Sequence, residues 1–210
     1  MARYGIVAEK VYGVSVGQLR AYAKTIGRDH ALAGALWKSG WYEARMLATF
    51  VDDPARVTPA QMERWCRDFD NWAICDTACF HLFDRTPRAF AKVAAWADRK
   101  AEFEKRAAFA LLASLAGHDR ASGDTAFRAS FPMIERAASD PRNFVKKGVS
   151  WALRGIGHRS AALHAESVAL ARKLAASPDP ATRWVGKDAL RDLERASVAA
   201  KVKRKPPRGR

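Results

Sequence analysis

Carboxylates are scarce in this chain. Only 22 Asp and Glu stand against 37 Lys and Arg in 210 residues, a formal net charge of +15. The balance excludes an acidic, cation-collecting surface and predicts a polyanionic partner, nucleic acid before an anionic membrane. Long apolar runs are also missing. No stretch approaches the ~18 residues needed to span a bilayer, and Met1–Gly5 opens no apolar core of a signal peptide. A cytoplasmic setting without membrane contact is therefore expected. Cysteine is sparse: Cys66, Cys75 and Cys79 make an odd number without a secreted-framework spacing, which fits a reducing compartment. Strict apolar–polar alternation, the signal of strands, is absent.

What the chain does have is 49% hydrophobic residues, enough for a core and too many for wholesale disorder. Its length fits one domain or one stack of small repeats. Apolar residues recur at three and four, so the body reads as about ten helices of about 10–15 residues. Thr58-Pro59-Ala60-Gln61 is a capping box with proline at the first helical position. Thr86-Pro87, Asp140-Pro141 and Asp179-Pro180 repeat the cap-then-proline signal. Gly27, Gly117 and Gly157 fall where helices are expected to stop. Residues 1–195 read as one folded domain. Residues 196–210 hold Lys201, Lys203, Arg204, Lys205, Arg208 and Arg210 and no acid. They read as a flexible basic arm that either adds phosphate affinity or only solubilises. A second acid-free stretch, residues 141–165, carries Arg142, Lys146, Lys147, Arg154 and Arg159. Lying inside the body, it is expected to display its charge on a surface.

A repeat underlies the helices. Trp41, Trp72, Phe103, Phe144 and Trp184 each stand near an expected helix start, with a charged residue three or four positions on and an apolar run after it. Their spacings of 31, 31, 41 and 40 residues are those of helix pairs. They predict an all-α, right-handed α-solenoid of HEAT-like helix pairs. Equivalent second helices then line one concave face and bring Arg45, Arg106, Lys147 and Lys187 to it, a basic face suited to a duplex backbone.

The fifth equivalent position is Asp76, and a carboxylate weakens a phosphate groove. It is either a helix-surface aspartate, paired for instance with Arg106 of the next repeat, or an anion aimed at a developing cation. The second role suits cleavage of a glycosidic bond, whose transition state resembles an oxocarbenium ion. A purine alkylated at N3 or N7 already carries positive charge and leaves without protonation, so one carboxylate suffices. Of the seven tryptophans, Trp37, Trp65 and Trp96 read as core. Trp72, one turn before Asp76, and Trp151, three residues before Arg154, are open between core packing and contact with a cationic base. An indole face beside such a base gains about 0.5–2 kcal/mol.

Other constellations carry less. Cys66, Cys75, Cys79 and His81 lack a paired zinc-ligand spacing and read as buried thiols. His158, Ser160 and His164 lack a nucleophile elbow and read as a loop and helix start. Gly155-Ile156-Gly157 follows no strand and is no dinucleotide fingerprint. Glu43 reads as a structural ion pair or a helix-start contact. Nothing calls for a cofactor or a metal.

Four segments, Leu36 to Ala48, Trp65 to Asp76, Lys105 to Phe109 and Lys147 to Arg154, together resemble the AlkD-type alkylpurine DNA glycosylases built from HEAT-like repeats. The resemblance runs from Tyr4 to about Leu193. It implies a monofunctional enzyme that removes cationic N3- and N7-alkylated purines from double-stranded DNA and leaves an abasic site, acting as a monomer in the bacterial cytoplasm or nucleoid. Asp76 falls on the family's catalytic aspartate, and Trp72 and Trp151 fall on its two cleft tryptophans. Arg106 falls on a cleft arginine, and Tyr4 resembles a tyrosine near the lesion strand. Family members are thought to hold the lesion without a deep base pocket, which fits the lack of a base-flipping motif here. The chain departs from some relatives at Ala73-Ile74-Cys75, where they carry a second tryptophan and an acid. An N-terminal helix of longer relatives is expected to be short or missing. Because the family includes members without the catalytic set, a non-catalytic DNA-binding or scaffold solenoid is the alternative.

Overall fold

The computed structural model describes residue 3 and residues 5–204, and among these are thirteen α-helices and the 3-10 turn Phe83–Arg85, with no strand. None of these helices is long and apolar enough to cross a membrane. The chain divides into two compact units, one up to residue 89 and one from residue 90 onward.

Unit 1 holds α1 (Val16–Ile26), α2 (His30–Lys38), α3 (Tyr42–Val51), α4 (Pro59–Arg67), α5 (Trp72–His81) and the 3-10 turn Phe83–Arg85. Short polar residues begin α1, α2, α4 and α5, whereas α3 starts after Trp41 with no side-chain cap. Ser15 and Gln18 form a full capping box on α1, and Asp29 caps α2. Thr58 caps α4, with Pro59 in its first turn. The Gln61 side chain, however, does not turn back to the cap as the box predicts. It donates to Asp52 Oδ2 at 2.6 Å, a buried carboxylate that also meets His30 Nδ1 at 2.6 Å. Gly27 ends α1 at φ 78°, a left-handed conformation that favours glycine. Helix α3 packs on α1, α2 and α5. In the core Trp37 stacks flat on Trp65 with centroids 3.9 Å apart, and both indoles are buried as expected.

Unit 2 holds α6 (Ala89–Trp96), α7 (Glu102–His118), α8 (Asp124–Arg128), α9 (Phe131–Ala137), α10 (Asn143–Gly157), α11 (Ala161–Ala175), α12 (Pro180–Leu193) and α13 (Ala196–Lys203). Helices α7, α10 and α12 pack in series, and α11 packs on α12. The second helices of the expected pairs, α3 and α5 in one unit and α7, α10 and α12 in the other, are thus neighbours within each unit. Close approach explains two glycines. A Cβ on Gly186 of α12 would lie 2.2 Å from the Ala175 backbone nitrogen, and one on Gly157 would lie 2.6 Å from Leu193 Cδ2.

Several expected boundaries move. Gly117 lies inside α7, and Gly157 is the last residue of α10. The cap expected at Asp140 shifts to Arg142, because the Asp140 carboxylate is taken by Arg142 and Lys105. Thr86 closes the 3-10 turn on the Phe83 carbonyl, and α6 begins three residues later. The first helix of the fourth pair is split into α8 and α9, since Pro132 is tolerated only in a helix's first turn. Ala196–Lys203, expected to be flexible, forms α13 and buries Val202. Helix α13 packs on α11 and α12, and this tertiary contact supplies the apolar burial that the segment's composition lacks. Lys205 to Arg210 and Tyr4 lie outside the described residues.

Candidate nucleic-acid interface

Helix α5 carries Trp72 as its first residue and Asp76 one turn later. Both are half-buried. Asn71 starts the helix by accepting from the Ile74 amide at 3.0 Å, and its own amide donates to Asp70 Oδ1 at 2.6 Å. Arg45 of α3 reaches the same turn, donating to the Asp68 carbonyl at 3.2 Å and to Asp70 Oδ2 at 3.5 Å. A polar chain running from α3 therefore fixes the start of α5, the helix that carries Trp72 and Asp76. Sequence reasoning missed Asn71, although an Asn just before an apolar helix is a standard cap signal.

The buried face of α5 is apolar, made of Ala73, Ile74, Cys75, Ala78 and Cys79. Asp76 lies beyond the first turn, where the helix dipole no longer rewards an acid. Burial pushes the Cys79 thiol well above its ordinary range, and the neighbouring Cys75 and the Asp76 charge add to the rise. All three cysteines are buried free thiols, as read from the sequence. Glu43 forms neither expected ion pair nor helix-start contact. Buried, it accepts from the Tyr12 and Gly13 amides at 2.9 and 2.8 Å and pins that segment to α3. The Tyr12 ring, itself exposed, stacks on Trp41 at 4.0 Å.

In unit 2 the basic side chains separate into two groups. Arg106 of α7 is only 6% exposed and donates to the Phe144 carbonyl at 2.6 Å. Its repeat-equivalent aromatics meet, with Phe103 and Phe144 centroids 5.4 Å apart. Lys147, Trp151 and Arg154 fall at i, i+4 and i+7 on one face of α10. Lys147 is exposed, Trp151 and Arg154 are half-buried, and Lys187 of α12 is exposed. Arg154 lies 4.0 Å from Asp188, which also accepts from Ser150 at 2.7 Å and pairs with Arg191. Asp188 therefore draws on Arg154's charge, which the sequence had not suggested.

The expectation that residues 141–165 display all their cations is corrected at two positions. Arg159 is fully buried. Its guanidinium donates to the carbonyls of Leu115, Ala116, Asp119 and Ser122 and lies 3.7 Å from the Phe127 ring centroid, capping the end of α7. Arg142 donates to Asp140 at 2.6 Å and to the Lys100 carbonyl. The Arg142 hydrogen bond is the largest influence on the Asp140 carboxyl and holds it down at about 2. Ser160 caps α11, and His164 Nδ1 meets the Gly157 carbonyl at 3.0 Å, in keeping with a helix start.

Of the expected site residues, the structure thus brings Trp72 and Asp76 together on α5 with Arg45 behind them. It also brings Arg106, Lys147, Trp151, Arg154 and Lys187 together on the packed series α7, α10 and α12.

Residues 1–193 match a family described as DNA alkylation repair enzyme. Among solved structures, one described as "A new family of proteins related to the HEAT-like repeat DNA glycosylases with affinity for branched DNA structures" aligns with a TM-score of 0.73 at 20% identity, covering 94% of this chain and 87% of that chain. That likeness shows the HEAT-like repeat fold. A designed armadillo repeat protein aligns at a TM-score of 0.37 and 13% identity, over 85% of this chain and 93% of its own, which is too low to carry an argument. A comparison with curated proteins gave no match.

Proposed function

The chain belongs to the DNA alkylation repair enzyme family, and from that premise we propose that it is a monofunctional DNA glycosylase excising cationic N3- or N7-alkylated purines from duplex DNA. The observation that carries the reading is Asp76, a half-buried carboxylate on the second turn of a helix that holds no other acid, one turn after a half-buried indole.

In the proposed reaction the bond between sugar C1′ and the purine breaks, and its electron pair neutralises the alkylated base. The sugar becomes oxocarbenium-like, and the Asp76 carboxylate stabilises that charge. Water oriented by the same carboxylate attacks C1′, and its proton passes to Asp76 or to solvent. The products are an abasic site and the free alkylated base. Trp72, one turn before Asp76, favours a cationic base over a neutral one by about 0.5–2 kcal/mol. Lys147 and Lys187 take backbone phosphates, with Arg154 beside them on α10. Arg45 and Arg106 act from behind, bracing the starts of α5 and α10. Tyr4 is assigned to the lesion strand.

The test is to incubate the protein with methylated duplex DNA and analyse the freed bases in single turnover. Asp76→Asn is expected to lower release of 3-methyladenine or 7-methylguanine by about 10²–10³-fold, the scale of losing one transition-state electrostatic partner. Duplex affinity is expected to hold or rise, because a negative charge leaves. Release at the wild-type rate from Asp76→Asn would falsify the mechanism. A second reading, DNA binding without excision, is favoured by the branched-DNA affinity stated for the solved relative. It gains support if the wild-type protein frees no base and binds a four-way junction more tightly than the duplex.

A further inference from the structure

We propose that unit 1 contains a second anion site, a cleft that binds a phosphate group at the carboxyl ends of α1 and α3 and beside the end of α5. Neither Trp72 nor Asp76 lines it. The cleft has a volume of about 450 Å³ and is bordered by Arg20, Lys24, Arg28, Arg85, His81 and Phe50, with no carboxylate among its described lining residues. Arg20 and Lys24 stand at i and i+4 on α1 and project from one face, with buried Ala23 between them.

Two guanidinium groups are held on the same residue. Arg20 lies 5.5 Å over the Phe50 ring, and Arg28 donates to the Phe50 carbonyl at 3.0 Å and to that of Asp52. Arg20 Nη2 also meets His81 Nε2 at 2.5 Å. A guanidinium only donates, so Nε2 accepts and the His81 ring carries its proton on Nδ1. Four cations thus border one opening. Asp84, 4.0 Å from Arg85, offsets one of them. The partial negative charge of a helix end is about half a unit, and Arg28 already serves the end of α3. Lys24 stands in the last turn of α1, whose partial charge offsets only part of its own, and Arg20 is held by His81 and the Phe50 ring, neither of which offers a carboxylate. Unrelieved like charges repel across the opening, and a tetrahedral oxyanion relieves them while offering the paired acceptors that a guanidinium fork fits.

The phosphate has two possible sources, a DNA backbone or a free phosphate group, and the site does not depend on base excision. The test follows the amides of Gly27, Arg28 and His81 by NMR in the full chain, with inorganic phosphate and with a short unmethylated duplex as separate probes. Both are expected to shift these amides. Arg20→Gln combined with Lys24→Gln is expected to lower the slope of log affinity against log salt by about 0.9 and to weaken duplex binding about tenfold near 0.1 M salt. The charge-keeping pair Arg20→Lys with Lys24→Arg is expected to restore the slope, which separates lost charge from a damaged helix. Methylated-base release at saturating DNA is expected to be unchanged in both, so failure of the excision reading leaves this inference standing. Shifts with inorganic phosphate alone support the site and assign it to free phosphate. If neither probe moves these amides, the inference is overturned.

Discussion

Unit 1 and unit 2 share a helix-pair plan but use opposite charges to hold it together. In unit 1 the buried anchors are carboxylates. Glu43 holds the Tyr12 and Gly13 amides and Asp52 holds His30 and Gln61, while the exposed Asp68 accepts from the buried Trp37 indole at 2.8 Å. In unit 2 the anchors are arginines: Arg106 on Phe144, Arg142 on Asp140 and Lys100, and Arg159 on four carbonyls. The consequence for the surface is reversed. Structural acids in unit 1 are used elsewhere, so of the four cations of the α1 cleft only Arg85 has a described ion-pair partner, Asp84. Structural arginines in unit 2 leave Lys147 and Lys187 as its exposed repeat cations. Net charge alone therefore does not locate a phosphate-binding surface.

The contrast breaks most sharply at Arg159. Replacing it with Met keeps much of the volume but removes the guanidinium from the Ala116, Asp119 and Ser122 carbonyls, while the Leu115 carbonyl keeps the Asp119 amide. The expected loss is about 3–5 kcal/mol, since each buried orphan acceptor costs about 1–3 kcal/mol, and a denaturant midpoint measures it. A loss within about 0.5 kcal/mol, typical of a surface site, would remove the distinction drawn for unit 2. Next in size are Lys147→Gln and Lys187→Gln. Each is expected to lower the salt slope of duplex binding by about 0.9 with stability unchanged. The matching test in unit 1 is Glu43→Gln, whose amide can accept from one of the two backbone donors but presents an NH₂ group to the other. About 1–2 kcal/mol is expected to be lost, read by thermal unfolding.

The smallest effect concerns pH. The folded Asp140 carboxyl sits at about 2, below its unfolded value of about 3.9. Its contribution is fully present above about pH 4 and fades as pH falls toward 2. The difference in melting temperature between the wild type and Arg142→Gln is expected to close over that window. A gap that stays constant down to pH 2 would mean that Asp140 is not the group Arg142 serves.

Much of the fold was legible because it rests on local chemistry. The caps at Thr58 and Asp179, the stop at Gly27 and the helix start at Ser160 each involve residues within a few positions of one another. Burial of Trp37, Trp65 and Trp96 followed from their place in the apolar period. Legibility failed where a side chain chose between near and far partners. Asp140 is an ordinary cap signal until Lys105, 35 residues earlier, takes its carboxylate. Gly157 does end α10, but its lack of a Cβ also makes room for Leu193 on another helix, which spacing alone does not reveal.

By its composition and spacing alone, the chain dictates an all-helical, paired architecture, an excess of positive charge, and an indole one turn before a carboxylate on α5. Those properties depend on the backbone's own periodicity and on neighbours within about one helical turn. Tertiary structure alone decides which cations face solvent. An arginine's long stem can reach carbonyls some 40 residues away, as Arg159 reaches Leu115 across 44 positions. Whether it does so depends on which helix ends packing brings within that reach.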